Sequence, residues 1–231
     1  MDLPKWLGQL ESIFTKQADP ISAQKQSAYL LNQFPFFGLP KPKRSELQKD
    51  LINQCSHISR PELIEAVRVL WNKPQRELHY AALDLLVKHW KKLESSDLSF
   101  LEGLIRTNAW WDTVDSIAAN VVGKLVLHHR SLLPCIDGWI DDEFLWIRRT
   151  ALIFQLKWKK ETEEQRLFSY CEKRMHESNF FIRKGIGWAL REYSKSAPVP
   201  VFQFLSEHAS RMSKLTYKEA SRLLSQKNLC S

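Results

Sequence analysis

Apolar side chains recur at intervals of three and four residues through almost the whole chain, as in Leu83, Leu86, Val87 and Trp90, and sustained two-residue alternation is hard to find. That spacing puts one apolar stripe on each of a succession of helices, so the expected fold class is all-α. Glycine usage agrees, with 7 glycines in 231 residues where average usage gives about 16. Tight hairpins and phosphate-cradling loops both draw on glycine, and a hairpin-rich β fold or a Rossmann-type fold runs against this composition.

The pattern breaks at Asp19-Pro20, between Phe34 and Pro42, at Arg60-Pro61, Lys73-Pro74 and Ser95-Ser96-Asp97, at Pro134, and between Ala197 and Pro200. Several breaks carry start signals. Asp19 before Pro20 and Lys73 before Pro74 put proline at a first helical position, and Ser96 or Asp97 caps the helix after it. The result is about a dozen helices joined by short turns. No Gly/Ser linker divides them, so residues 1–231 read as a single domain.

Tyr80-Ala81, Asp115-Ser116, Arg149-Thr150 and Lys184-Gly185 succeed one another at intervals near 35 residues, each on an apolar-striped helix with a shorter helix before it. A helical-pair repeat of that length predicts an α-solenoid of HEAT-like pairs, with an irregular helical bundle as the alternative. In this register equivalent positions line up along one surface carrying Asp115, Arg148, Arg149, Arg183 and Lys184.

Charge suggests what such a surface meets. Lys and Arg total 34 against 26 Asp and Glu, a formal charge of +8, and 9 tryptophans accompany them. A basic, aromatic-rich chain suits a polyanion such as nucleic acid. The first residues, Met1 to Trp6, lack a basic segment followed by an apolar one, and no run approaches the length of a membrane span. The chain therefore reads as soluble and cytosolic, without membrane contact. Cys55, Cys135, Cys171 and Cys230 lie far apart and read as reduced thiols in or near a core. His128 and His129 point to different helix faces, and no metal or cofactor is expected.

Three segments could carry chemistry. In Asn108-Ala109-Trp110-Trp111-Asp112-Thr113-Val114-Asp115, helical spacing gives Trp111 and Asp115 one face and Trp110 and Val114 a neighbouring one. An indole beside a carboxylate can hold a cation; the alternative packs both tryptophans in a core, with Asp112 capping and Asp115 solvated. Trp146-Ile147-Arg148-Arg149-Thr150 and Phe180-Phe181-Ile182-Arg183-Lys184 each place a doubled cation just inside a helix, against the macrodipole. An external phosphate would compensate, as would internal pairing. Gly185 and Gly187, two glycines in a helical pattern beside Trp188, fit either close approach of a ligand or tight helix packing.

Together these segments resemble the AlkD family of bacterial DNA alkylation repair glycosylases. The resemblance rests on Leu31-Asn32-Gln33-Phe34-Pro35-Phe36-Phe37-Gly38 with Pro42 and Arg44, on the Trp110-Trp111-Asp112-Thr113-Val114-Asp115 block, on Trp146-Ile147-Arg148-Arg149-Thr150, and on the run from Ile182 to Tyr193. It implies a superhelix of HEAT-like repeats whose concave basic face holds duplex DNA. It also implies a glycosylase that removes cationic N3- and N7-alkylated purines, such as 3-methyladenine and 7-methylguanine, in base-excision repair. No cofactor is expected, and a solenoid with a self-contained concave site needs no partner subunit, so a monomer is expected. Carried over by residue, Trp111 and Trp188 are the paired aromatics, Asp115 is the catalytic carboxylate and Arg149 is a DNA-backbone contact with Arg148 as its neighbour. Arg183 and Lys184 complete the expected phosphate anchors. A non-catalytic HEAT-like scaffold binding nucleic acid or protein stays open as the alternative.

Overall fold

The computed structural model describes residues 2–225, and every element among them is helical. These elements gather into two compact units, Met1–Leu93 and Glu94–Ser231. No helix among the described residues is long and apolar enough to cross a membrane.

The first unit holds α1 (Leu3–Lys16), α2 (Pro20–Tyr29), α3 (Lys41–Gln54), α4 (Arg60–Trp71) and α5 (Arg76–His89). In α1 the stripe Trp6, Leu10 and Phe14 is buried, each side chain contributing about 1.5–3 kcal/mol of transfer free energy. The Trp6 indole N–H donates to the Leu51 carbonyl at 2.8 Å, tying α1 to α3. Asp19 caps α2 with proline at its first position, as its sequence predicts. Ser59 and Glu62 form a reciprocal capping box on α4.

Lys73-Pro74 behaves differently from expectation. Helix α5 starts at Arg76, because the Arg76 N–H donates to the Pro35 carbonyl at 2.9 Å and so fixes the first turn two residues beyond the proline. The adjacent Glu77 is fully buried, and its carboxylate accepts from the backbone N–H groups of Phe37, Gly38 and Leu39 at 3.0, 2.8 and 3.0 Å. Thus the segment between Phe34 and Pro42 is a loop folded around a helix-borne carboxylate. Gly38 stands there at φ +91°, and a Cβ on it would sit 2.1 Å from the Asp19 carbonyl oxygen.

The second unit contains α6 (Leu98–Arg106), α7 (Trp111–Ile117), α8 (Gly123–His128), α9 (Leu133–Trp139), α10 (Leu145–Ile153), α11 (Glu164–Arg174), α12 (Phe180–Tyr193), α13 (Pro198–His208) and α14 (Lys214–Ser225). A single π-helical stretch, Ala118–Val122, joins α7 to α8 without a break. Helices α7, α10, α12 and α14 pack successively on one another, while α6, α9, α11 and α13 each pack against a member of that row. This is the paired, HEAT-like stacking that the 35-residue interval predicts, and Asp115, Arg149 and Lys184 fall on three consecutive members of the row. Asp97 does not cap α6 directly. It accepts from the Glu94 N–H at 2.8 Å and closes a short 3-10 turn ahead of that helix.

Cys55 and Cys171 are buried free thiols as expected, Cys135 is exposed on α9, and Cys230 lies outside the described residues.

Gly38→Ala forces a Cβ into both a left-handed backbone and the Asp19 carbonyl, so it lowers the free energy of unfolding by about 2 kcal/mol. Gly103, inside α6, has open space where a Cβ would go, and Gly103→Ala raises stability by roughly 1 kcal/mol through helix propensity. Denaturant titrations should move the two midpoints in opposite directions; a shared direction would refute this account of the two glycines.

Candidate functional site

Helix α7 begins one residue later than the spacing suggests. Asn108 has φ 50° and Trp110 is extended at φ −157°, so Trp110 precedes the helix instead of sharing a face with Val114. Its indole turns onto Trp146 and Phe181, with ring centroids 5.6 and 5.5 Å away, and those two rings lie 4.8 Å from each other. This aromatic cluster joins the starts of α7, α10 and α12. Trp111, the first residue of α7, is half-buried, and Asp115 comes one turn later on the same face.

Asp115 meets Arg149 in a forked ion pair. Nε and Nη2 of Arg149 donate to Oδ1 and Oδ2 of Asp115, each at 2.7 Å. The third arm, Nη1, donates to the Phe181 carbonyl oxygen. Side-chain exposure is 6% for Arg149 and 15% for Asp115, so the pair is largely removed from water. Burial pushes the Asp115 carboxyl above the usual carboxylate range, the Arg149 fork pulls it back, and nearby Asp112 adds to the rise; the net direction is upward.

Gly185 explains how Arg149 fits. A Cβ at that position would stand 3.2 Å from Arg149 Nη1, tighter than ordinary contact, so its absence lets the guanidinium lie against α12. Gly187 does the same toward α14, where a Cβ would meet Glu219 Cβ at 2.6 Å and the Thr216 carbonyl oxygen at 3.1 Å. Of the two sequence readings for this glycine pair, the close approaches in the structure are those of tight helix packing. The approaching groups are charged side chains from the helices on either side.

The other predicted cations find partners within the chain. Arg148 Nη1 donates to the carbonyls of Asp142 and Glu143 at 2.7 and 2.8 Å, and Nη2 reaches Glu177 at 3.2 Å. Arg183 Nε donates to the Glu177 carbonyl at 2.8 Å. Lys184 pairs with Glu219. Charge placed against the helix dipole is therefore compensated internally at three of these cations, Arg149 by Asp115, Arg148 by Glu177 and Lys184 by Glu219, while Arg183 meets the Glu177 backbone carbonyl. The structure brings Arg149 to Asp115 but turns Arg148 and Arg183 to Glu177. Trp188 sits on α12, three residues past Gly185 and one turn beyond Lys184, half-buried.

Sequence reasoning missed Glu219 and Glu177. Glu219 had a readable signal: it lies 35 residues after Lys184, as Lys184 lies 35 after Arg149 and Arg149 lies 34 after Asp115. Two ion pairs thus link neighbouring repeat positions, Asp115 with Arg149 and Lys184 with Glu219. Glu177 lies outside that register and had no such signal. Among the described residues no three His, Cys, Asp or Glu side chains group so as to hold a metal ion.

The profile of a family described as DNA alkylation repair enzyme matches residues 10–224. Among solved structures, one described as a predicted DNA alkylation repair enzyme from Enterococcus faecalis superposes with a TM-score of 0.84. It is 32% identical, and the match covers 90% of this chain and 97% of that one. No curated protein matches. Extending over both helical units and every residue of the Asp115–Arg149 arrangement, the match places the chain in the DNA alkylation repair enzyme family.

Proposed function

We propose that this DNA repair protein is a glycosylase that hydrolyses the N-glycosidic bond of cationic N3- and N7-alkylated purines in duplex DNA. The observation that carries the reading is a half-buried carboxylate, Asp115, fixed by a two-pronged guanidinium and set one helical turn from an indole.

An N3- or N7-alkylpurine already bears positive charge, so the base leaves neutral and needs no proton from the protein. The developing charge is on the deoxyribose. A carboxylate near that carbon stabilises it electrostatically, and more strongly where water is excluded. The Arg149 fork uses one lone pair on each Asp115 oxygen and leaves the others to accept from the attacking water. Arg149 also keeps the carboxylate ionised against the effect of burial. Trp111 and Trp188 supply indole faces for the cationic nucleotide, worth about 0.5 to 2 kcal/mol according to desolvation.

Arg148, Arg149, Arg183 and Lys184 enter as the contacts to backbone phosphate. Each already has an internal partner, so each reaches phosphate by sharing its remaining N–H groups or by exchanging that partner. Internal pairing equally suits a non-catalytic helical scaffold that binds nucleic acid or protein, and base release separates the two readings. The acting species is a monomer on double-stranded DNA, working in the cytoplasm without a cofactor.

Asp115→Asn keeps the shape of the side chain and removes its charge. Duplex binding is retained, while release of N3-methyladenine and N7-methylguanine from methylated duplex falls by on the order of a hundredfold or more. Release at the wild-type rate would remove Asp115 from the mechanism. A wild-type protein that binds duplex and releases nothing would favour the scaffold.

Arg149→Ala leaves a buried carboxylate without its partner and costs about 3 kcal/mol at neutral pH. Protonation relieves that penalty. A carboxyl whose folded pKa is raised contributes stability below its unfolded pKa and loses it as pH rises through the folded value. The variant is therefore closer to wild-type stability under mildly acidic conditions than at pH 7. Wild-type base release falls on acidification as Asp115 protonates, and in Arg149→Ala that acidic limb moves to higher pH. Thermal melts and release rates across the pH range check both statements, and a limb that stayed in place would rule out Arg149 as the group holding Asp115 ionised.

A further inference from the structure

Helix α12 carries Lys184, Trp188 and Arg191 at spacings of four and three residues, so the three share a face. Opposite them, α14 presents Glu219 and, three residues on, Arg222. The Glu219 carboxylate is divided between the two α12 cations, with Oε2 toward Lys184 Nζ and Oε1 toward Arg191 Nη1. Only 14% of its side chain is exposed, against 37% for Lys184 and 20% for Arg191. The missing Cβ at Gly187 is what lets Glu219 lie across α12 between them.

Arg222 is exposed and makes no ion pair among the described residues. It is nevertheless close enough to bear on both α12 cations. The Arg191 pKa is lowered by burial and by the charge of Arg222, with Glu192 acting in the opposite direction; the Lys184 pKa is lowered by burial and by the charges of Arg191, Arg149 and Arg222. Two α12 cations thus share one carboxylate, and Arg222 stands three residues, about one helical turn, along α14 from it. Glu192 offsets part of the charge at Arg191, yet cations still outnumber the carboxylate that Lys184 and Arg191 share, and their mutual repulsion works against the fold. A second anion relieves that repulsion.

We propose that Lys184, Arg191 and Arg222 form a phosphodiester subsite beside Trp188, with Glu219 as its resident competitor: the carboxylate holds the two α12 cations in place until a backbone phosphate takes its position. Arginine suits this exchange because its fork matches carboxylate and phosphate oxygens alike. Located one turn on either side of Trp188, the subsite grips the strand next to the indole assigned to the lesion. It gives affinity without sequence preference. Gly187 acquires a role in that grip, since a side chain there would displace Glu219 from between its cations.

The inference rests on duplex DNA being the substrate, and equilibrium binding of the full chain to an undamaged duplex over a salt series tests the two separately. Wild type binds, with log K falling linearly against log salt concentration. Arg222→Ala, an exposed change with no ion pair among the described residues to lose, flattens that slope by about 0.9 for the phosphate contact removed and weakens binding several-fold at low salt. Glu219→Gln keeps the side-chain shape, removes the competitor and tightens binding several-fold, with a melting transition showing that the variant is folded. Should Glu219→Gln fail to fold, Arg222→Glu decides instead by weakening binding more than Arg222→Ala. A wild-type slope in Arg222→Ala, or a folded Glu219→Gln that binds no tighter, overturns the subsite while leaving the DNA reading intact. A wild-type protein without affinity for duplex overturns both.

Discussion

The contact between Arg149 and Asp115 holds the second unit's most consequential arrangement together. One guanidinium bonds Asp115 on α7, originates from α10 and reaches the Phe181 carbonyl on α12, so three helices of the stacked row share a single charged group. Taking such a pair out of water costs several kcal/mol per ion, and attraction offsets that cost only when the geometry is close to ideal and the remaining polar atoms are satisfied. Here both prongs are 2.7 Å long and the third arm finds a carbonyl. A hydrophobic pair of the same volume would stabilise the helices as well or better. The ion pair therefore makes most sense as a means of presenting an oriented, ionised carboxylate in a place where burial alone would favour its neutral form.

Close helix approach arises from the same requirement. Two glycines in the middle of α12 weaken that helix by roughly 1 kcal/mol each relative to alanine. Each one admits a ladder residue from a flanking helix: Gly185 makes room for Arg149 from α10, and Gly187 makes room for Glu219 from α14. Helix propensity is given up at these two positions so that charged side chains at successive repeat positions can cross between helices. The consequence is a row of charges, Asp115, Arg149, Lys184 and Glu219, whose members pair with their neighbours along the stack.

Much of this was legible in the residues. Period-3.6 patterning and scarce glycine are local properties, and they identified the helices and the interval at which they repeat. Proline caps were legible where the proline opened its helix unassisted, as at Pro20. They misled at Pro74, because a hydrogen bond from Arg76 to a loop 41 residues earlier sets the start of α5. Spacing puts Trp110 on a helix face, and the structure departs from it for a similar reason: an extended backbone ahead of α7 sends its ring to Trp146 and Phe181, residues far away in the chain. For the cations, the sequence marks their unusual position at helix starts but not the group that each one meets. Glu177 is a loop residue out of register with the repeat, and nothing local connects it to Arg148. Glu219 was within reach, since the interval that links Asp115 to Arg149 also links Lys184 to Glu219.

The chemistry assigned to Asp115 depends on a substrate that brings its own positive charge. That claim is tested most directly by single-turnover base release from two otherwise identical duplexes, one carrying N7-methylguanine and the other a neutral damaged purine. A carboxylate acting electrostatically, with no proton donor for the leaving base, predicts release of the cationic base and no measurable release of the neutral one. Equal rates for the two would contradict it.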